Sequence, residues 1–317
     1  MADYPIPNPE GPVLLIGAAG VDILGRLRGE PEESSSNPAR IRMAYGGVVR
    51  NIAENLARLG QETILLTAVG EDQTGTALLE NAADAGVDIR RVLRTPDYPT
   101  GAYIGVVGLR GEIHLALDDM RIISKVTPGY LEENAALFKE ASLLALDTNL
   151  SKETLRKAFS LARQARLPVV ADPTTATLTH RLFPYLDRLF MVVPNEVEAG
   201  LLCDRELVPG KRHQAMEAAK HLVAQGVQIA IITMAKMGVA YATSAASGHI
   251  PALRTEIVDP TGAGDALTAA VIFGLLNDFE LDDALQLGVS AASLALRYQG
   301  AAIPDLSLDK LYEKLVI

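Results

Sequence analysis

The stretch Asp259-Pro260-Thr261-Gly262-Ala263-Gly264-Asp265 sets two carboxylates around a run of small residues. It stands directly before an almost unbroken apolar run of helical length, Ala266 to Leu276. Small side chains at 262–264 let backbone N–H groups face outward at a helix start. Unpaired donors and the positive end of the macrodipole suit that place to an anion such as phosphate. A carboxylate beside such a cradle needs a reason, because like charges repel. Two readings stand open on this stretch alone. Asp265 caps or charges the helix start, as Asp often does. Alternatively it is a general base taking a proton from a hydroxyl, while the Gly262, Ala263 and Gly264 amides stabilise charge on a transferring phosphoryl group.

Other polar residues sit where chemistry is plausible. Asp22 follows the apolar run Val13-Leu14-Leu15-Ile16 and the turn Gly17-Ala18-Ala19-Gly20. Asn51 lies on or beside the apolar face of a strong helical pattern opened by Gly46-Gly47, where an unpaired amide would be costly. Asn195 and Glu198 have the spacing of a capping box. No Gly-x-Gly-x-x-Gly fingerprint follows the first strand, and no Gly-x-x-x-x-Gly-Lys-Ser/Thr occurs, so a dinucleotide site and the P-loop route are both disfavoured.

Asp-x-Thr-Gly-Ala-Gly-Asp (259–265) resembles the C-terminal signature of the PfkB (ribokinase-like) family of sugar and nucleoside kinases. Gly-Gly-x-x-x-Asn-x-Ala-x-x-Leu-x-x-Leu-Gly (46–60) resembles that family's N-terminal signature, and Asn195-x-x-Glu198 falls between the two in the right order. The resemblance spans essentially the whole chain. It implies a phosphotransferase with an alcohol group as acceptor, using ATP and Mg²⁺, with Asp265 as base and the 262–264 amides as anion hole. It places Asp22, Gly46, Gly47 and Asn51 around sugar hydroxyls, and Arg50, Asp119 and Asn149 where a base edge could be read. It assigns Asn195, Thr233, Gly238, Thr261 and Ala292 to the nucleotide, Glu198 to Mg²⁺ through water, and Asp259 to a K⁺ ion behind the anion hole. Ala235 stands where relatives commonly have Gly. The stretches 36–41, 47–56, 147–149 and 304–307 are similar to the pseudouridine kinase subfamily, which implies transfer to the 5′-hydroxyl of pseudouridine. Two rivals stay open: a kinase of the same fold for another nucleoside or sugar, and a non-catalytic sugar or nucleoside sensor.

These residues must be positioned by alternating strands and helices. Val48, Val49, Ile52, Ala53, Leu56 and Leu59 repeat at three and four before Gly60, which predicts a helix over 48–60. Thr63 to Val69 reads as one strand, and a helix follows over about 74–85. Strands near 21–27 and 39–45, with a hairpin of 100–108 and 113–117, would form a small sheet outside the main one. From 142 the βα alternation is regular, and polar residues gather at strand C-terminal ends, where open parallel sheets bind ligands. A helix over 281–298 carries small residues, which either admit a flat base or pack on another helix. The expectation is a three-layer αβα domain with a mostly parallel sheet, plus a β lid formed by about 20–45 and 97–120. Residues 1–317 would be a single kinase domain, with 1–12 an irregular N-terminal extension.

The totals agree with a soluble enzyme. Hydrophobic residues are 49% and charged residues 21%, as in ordinary globular domains. A net charge of −10 without a basic run argues against nucleic acid or an anionic membrane as partner. The single Cys203 excludes an internal disulfide and cysteine-based zinc sites. With no leader-like segment and no apolar run of transmembrane length, a cytoplasmic location is expected. The lid sheet has edges that could pair in a homodimer.

Overall fold

The computed structural model describes residue 6 and residues 8–109 and 113–315. Much of the expected 1–12 extension and the hairpin turn at 110–112 lie outside the described residues. The chain begins with β1 (Val13–Ile16), β2 (Gly20–Leu27), β3 (Ala39–Gly46) and α1 (Val48–Arg58). Next come β4 (Thr63–Leu66), β5 (Ala68–Gly70), α2 (Gln73–Asp84), β6 (Leu93–Thr95), β7 (Gly101–Val107) and β8 (Ile113–Asp119). The regular part runs through α3 (Pro128–Glu133), α4 (Ala135–Glu140), β9 (Leu143–Asp147), α5 (Lys152–Ala165), β10 (Val169–Asp172) and β11 (Met191–Val192). It continues with α6 (Glu196–Leu202), α7 (Arg212–Ala224), β12 (Ile229–Thr233), β13 (Val239–Ala242) and β14 (Ser247–Ile250). Helices α8 (Ala263–Leu276), α9 (Leu281–Ala295) and α10 (Leu308–Leu315) close the chain.

Eight strands make the main sheet in the order β14-β13-β12-β11-β10-β9-β1-β4. From β12 to β4 every pairing is parallel, and β13 and β14 add an antiparallel hairpin at one edge. The strands are apolar throughout because both faces are covered. Along β1, Leu14 and Ile16 point into a core built with α5 and α7, whereas Val13 and Leu15 point into one built with α1, α8 and α9. That period of two makes three layers from one sheet.

The second sheet, in the order β3-β2-β7-β8, is the lid. In β2 and β3 side chains are mostly part-buried or exposed, so the lid has no core of its own. Residues 63–69 are not one strand. The backbone leaves the main sheet at Thr67, whose carbonyl accepts from Leu93 N–H, and β5 pairs with β6 instead. The last long helix also stops early, at Ala295. The carbonyl of Leu296 is taken by Val258 N–H at 2.7 Å, which docks the irregular segment leading to the turn before α8.

The small residues of α9 serve helix packing. A Cβ at Gly288 would meet Val271 and Leu267 of α8, and Ser290, Ala291 and Ser293 are buried. Ala292 alone in that stretch is half-exposed.

Candidate active site

Helix α8 starts at Gly262, which adopts φ 74° and serves as its N-cap without any side-chain cap. That left-handed conformation suits glycine, and an added Cβ would fall on Ala301. With no side chain satisfying them, the first-turn amides stay available to an anion. Asp265 lies in that first turn.

The partner of Asp265 comes from the opposite end of the sequence. Gly47, at φ 98°, turns the chain from β3 into α1, and an added Cβ there would strike Ala18 and Ala19 backbone. One turn into α1, Asn51 Nδ2 donates to Asp265 Oδ2 at 2.7 Å. The buried amide is therefore satisfied by the carboxylate. The neighbouring Asn55 donates from Nδ2 to the Asn51 carbonyl at 2.9 Å, and its Oδ1 accepts from Ile303 N–H.

Around this pair the ends of parallel strands deliver further carboxylates. Asp147 ends β9 and Asp172 ends β10, in register with each other. Asp147 is fully buried, with Oδ2 accepting from Ala18 N–H at 2.8 Å and Oδ1 from Asn149 N–H at 2.9 Å. Burial raises its carboxyl to about 6. Asp172 is pushed well above the usual carboxylate range, by burial first and then by the Asp265 and Glu198 charges. Asp265 itself is raised to about 7, mainly by burial, with Asn51 opposing and the Asp22 and Asp147 charges adding. A carboxyl titrating near neutrality suits a general base. The expectation had overlooked Asp147 and Asp172 as site residues. Their signal was their place, an Asp ending each of two adjacent buried strands.

Asp22 sits on β2 facing the main domain, its carboxylate packed where a Cβ at Gly46 would be. Burial raises it to about 6, against the lowering effect of Arg50. Tyr103 and Asp118 continue the row across β7 and β8, in lateral register with Asp22. Adjacent residues of a strand face opposite ways, so Asp119 points off that row. It pairs with Arg121 at 2.7 Å. Asn149 is half-buried on the loop after β9, whose carbonyls at Thr148 and Leu150 accept from Arg181 Nη1 at 2.9 and 2.8 Å.

Arg50 is turned inward. It is 2% exposed and forms an ion pair with Glu54, with hydrogen bonds to Asn81 Oδ1 and to the Tyr45 carbonyl. The guanidinium is thus shared between Glu54 on its own helix, Asn81 of α2 and Tyr45 of the lid strand β3. Arg50 borders the group formed by Asp22, Gly46, Gly47, Asn51 and Asp265, donating from Nη1 to Asn51 Oδ1 at 3.3 Å, whereas Asp119 is turned to Arg121.

On the nucleotide side, Asn195 caps α6 in a complete capping box. Its Oδ1 accepts from Val197 and Glu198 N–H, and Glu198 Oε2 accepts from Asn195 N–H at 2.9 Å. Thr233 pairs with Asn195 across a parallel bridge. Gly238 follows at φ 91°, and Ala235 takes the positive φ (46°) that glycine fills at no cost. Asp259 is buried, with Oδ1 accepting from Thr261 N–H at 3.0 Å and Oδ2 from Gly300 N–H at 3.4 Å. Asp22, Leu24, Arg42 and Ala44 of the lid face Asp259, Thr261, Gln299 and Gly300 across an open cavity of about 60 Å³.

The carboxylate set bears on Mg²⁺. Among the described residues no three acidic or histidine side chains converge as a metal cage. Glu198 has one oxygen tied to backbone and one remaining, and its charge, like that of Asp265, acts on Asp172. Such a donor set fits an ion held mostly by water and phosphate oxygens, the usual habit of Mg²⁺.

A model of the pfkB family carbohydrate kinases matches residues 12–307. The pseudouridine kinase of Escherichia coli strain K12 is 31% identical over 297 residues, covering 93% of this chain and 94% of that protein. The guanosine-inosine kinase of Exiguobacterium acetylicum is 26% identical over 302 residues, covering 94% and 99%. The Arabidopsis thaliana ribokinase solved with ribose and ATP superposes with a TM-score of 0.84 at 22% identity, covering 97% and 99%. The fold is ribokinase-like.

Proposed function

The chain belongs to the pfkB family of carbohydrate kinases and is a phosphotransferase with an alcohol acceptor, and from that premise we propose that it converts pseudouridine to pseudouridine 5′-phosphate. Asp22 and Asn51 hold the ribose, with the backbone of Gly46 and Gly47 in close approach. Asp265 takes the proton of the 5′-hydroxyl as its oxygen bonds to the γ-phosphorus of ATP. The bond from that phosphorus to the β,γ-bridging oxygen breaks, and ADP leaves. The free amides of Gly262, Ala263 and Gly264 receive the charge on the transferring group, as preorganised donors do in such sites. Asn51 orients the Asp265 carboxylate and keeps one oxygen aimed at the hydroxyl. Glu198 would hold Mg²⁺ through water, with Asn195 beside it toward the nucleotide, and the ion would supply neutralisation of phosphate charge. Thr233, Gly238, Thr261 and Ala292 line the path of the nucleotide. Asn149 and the lid residues face the base.

The observation that carries the substrate is the 31% identity to a pseudouridine kinase over 93% of this chain. The likeness to a guanosine-inosine kinase supports a nucleoside more broadly. The free hydroxyl-binding carboxylate of Asp22 suits the ribose of either. The deciding experiment is kcat/KM for pseudouridine, uridine, inosine, adenosine, ribose and fructose side by side. Pseudouridine should lead by a wide margin, since a site that hydrogen-bonds a base can reject poor analogues by up to about 10⁴–10⁵. A free sugar or adenosine at the head of the panel overturns the substrate. No ATP consumption with any member leaves the sensor.

Two further parts belong to this reading. The Asp259 turn and the loop at Gly300 would hold a K⁺ ion, which would help to order the anion hole. Two copies pair through their lids, whose outer faces expose Ile41, Met43, Ile104, Leu115 and Leu117. An exposed apolar face of that extent is a feature of interaction surfaces. A monomeric mass in sedimentation at micromolar concentration would remove the dimer. No described helix is long and apolar enough to cross a membrane. The reading places the enzyme with ATP in the cytoplasm.

A further inference from the structure

One cationic side chain near the site has no partner. Arg42 lies on β3, in register with Leu24 of β2, two residues before Ala44. Arg42, Leu24, Ala44 and Asp22 line the same cavity. Arg42 is half-buried, yet makes no hydrogen bond or ion pair with any described residue. The other arginines near the site differ. Arg50 is tied to Glu54, Arg58 to Glu54, and Arg121 to Asp119. A part-exposed guanidinium without a protein partner keeps its donors available to an anion or a set of acceptors in the cavity it lines.

The cavity wall shows which anion. Opposite Arg42 stand Asp259, Thr261, Gln299 and Gly300. Thr261 directly precedes Gly262, the N-cap of α8, so this wall is the rim of the anion hole. The two carboxylates sharing the cavity form no ion pair with Arg42. Both oxygens of Asp259 accept backbone amides. The arginine charge acting on Asp22 is that of Arg50.

We propose that Arg42 is a lid-borne phosphate contact: it closes onto the phosphoryl group as that group passes to the substrate hydroxyl, opposite the α8 amides. The planar fork of arginine matches two phosphoryl oxygens. Because Arg42 rides on β3, it reaches the anion only when the lid lies over the sugar. Charge stabilisation is then complete only with substrate enclosed, which disfavours transfer to water. The inference rests on the kinase reading above and adds to it the residue that senses the phosphoryl group from the lid side.

The test compares binding of pseudouridine and pseudouridine 5′-phosphate, by calorimetry without ATP, in the parent protein and in Arg42→Gln and Arg42→Lys. In Arg42→Gln the nucleotide should bind about 10- to 100-fold more weakly, as expected for loss of hydrogen bonds to a charged group. The nucleoside should change by less than about 3-fold, since a contact that never touched it costs nothing to remove. Arg42→Lys should recover part of the loss as a point charge without the fork. Equal losses for both ligands, or none for either, overturn the role of Arg42. If the parent binds neither compound, the substrate is wrong, and the comparison is repeated with the leading nucleoside of the panel and its 5′-phosphate.

Discussion

Asn51 and Asp265 stand 214 positions apart and share one hydrogen bond of 2.7 Å. That bond joins the N-terminal turn of α1 to the N-terminal turn of α8, the two helix starts that frame the site. It also favours the ionised carboxylate in a place where burial disfavours it. Asn51→Leu should therefore raise the pKa of Asp265. A hydrogen bond to a charged group is worth about 1.5–3 kcal/mol, or roughly one to two pH units. The acid limb of the kcat/KM profile should move up by that amount, and turnover at pH 7 should fall about 5- to 50-fold. An unmoved acid limb would show that the bond does not tune the base.

Asp265→Asn separates catalysis from stability. Loss of the base should cut turnover by about 10²–10⁴-fold, while nucleoside affinity changes little. Stability should move the other way. The carboxyl titrates near 7 when folded and near 3.9 when unfolded, so the unfolded chain releases its proton first as pH rises. The parent is thus penalised progressively above pH 4, and by up to about 4 kcal/mol at pH 8. Asp265→Asn removes that penalty. Its melting temperature should exceed the parent's at pH 8 and match it near pH 4. A variant less stable at pH 8 would contradict the burial argument.

Local pattern made α1 legible, because its apolar repeat and the two glycines before it are set by the helix alone. The same holds for α8, whose apolar run is buried on all sides. Less legible were features set by pairing across distance. Nothing within residues 63–69 says that the backbone leaves the sheet at Thr67. That depends on Leu93, some 26 positions away, offering its N–H to the Thr67 carbonyl. Asp147 and Asp172 became neighbours of Asp265 only once β9 and β10 lay side by side. The partners of Arg50 belong to the same kind. Its place in the Gly-Gly signature puts it next to Asn51, whose Oδ1 accepts from it, but the Asn81 acceptor is supplied by α2, 31 positions away.

Arg50→Met tests that geometry. Removing one member of a buried ion pair typically costs about 3–5 kcal/mol. Arg58 remains on Glu54 and limits the damage, so a loss of about 2–4 kcal/mol is expected in denaturant unfolding. KM for the nucleoside should stay within about 3-fold of the parent, as no substrate contact is lost. A large rise in KM with unchanged stability would restore Arg50 as a base-reading residue.

The last prediction concerns the cation behind the anion hole. Asp259 links the amide of Thr261 to that of Gly300, and Ala301 packs where a side chain on Gly262 would be. The conformation of the hole therefore depends on the loop at 300–301. A monovalent ion held by carbonyls of these two segments would fix the amides without touching either substrate. Its effect should then fall on kcat and leave the nucleoside KM alone. Removing one anion-hole donor costs about 10²–10³-fold, and loosening the hole should cost less. Turnover in K⁺ should exceed that in Na⁺ or tetramethylammonium by about 10-fold on that scale. Asp259→Ala should be slow in all three salts, because the link between the segments is gone whichever ion is present. Equal rates for the parent protein in the three buffers would dismiss the ion while leaving Asp259 as a purely structural tie.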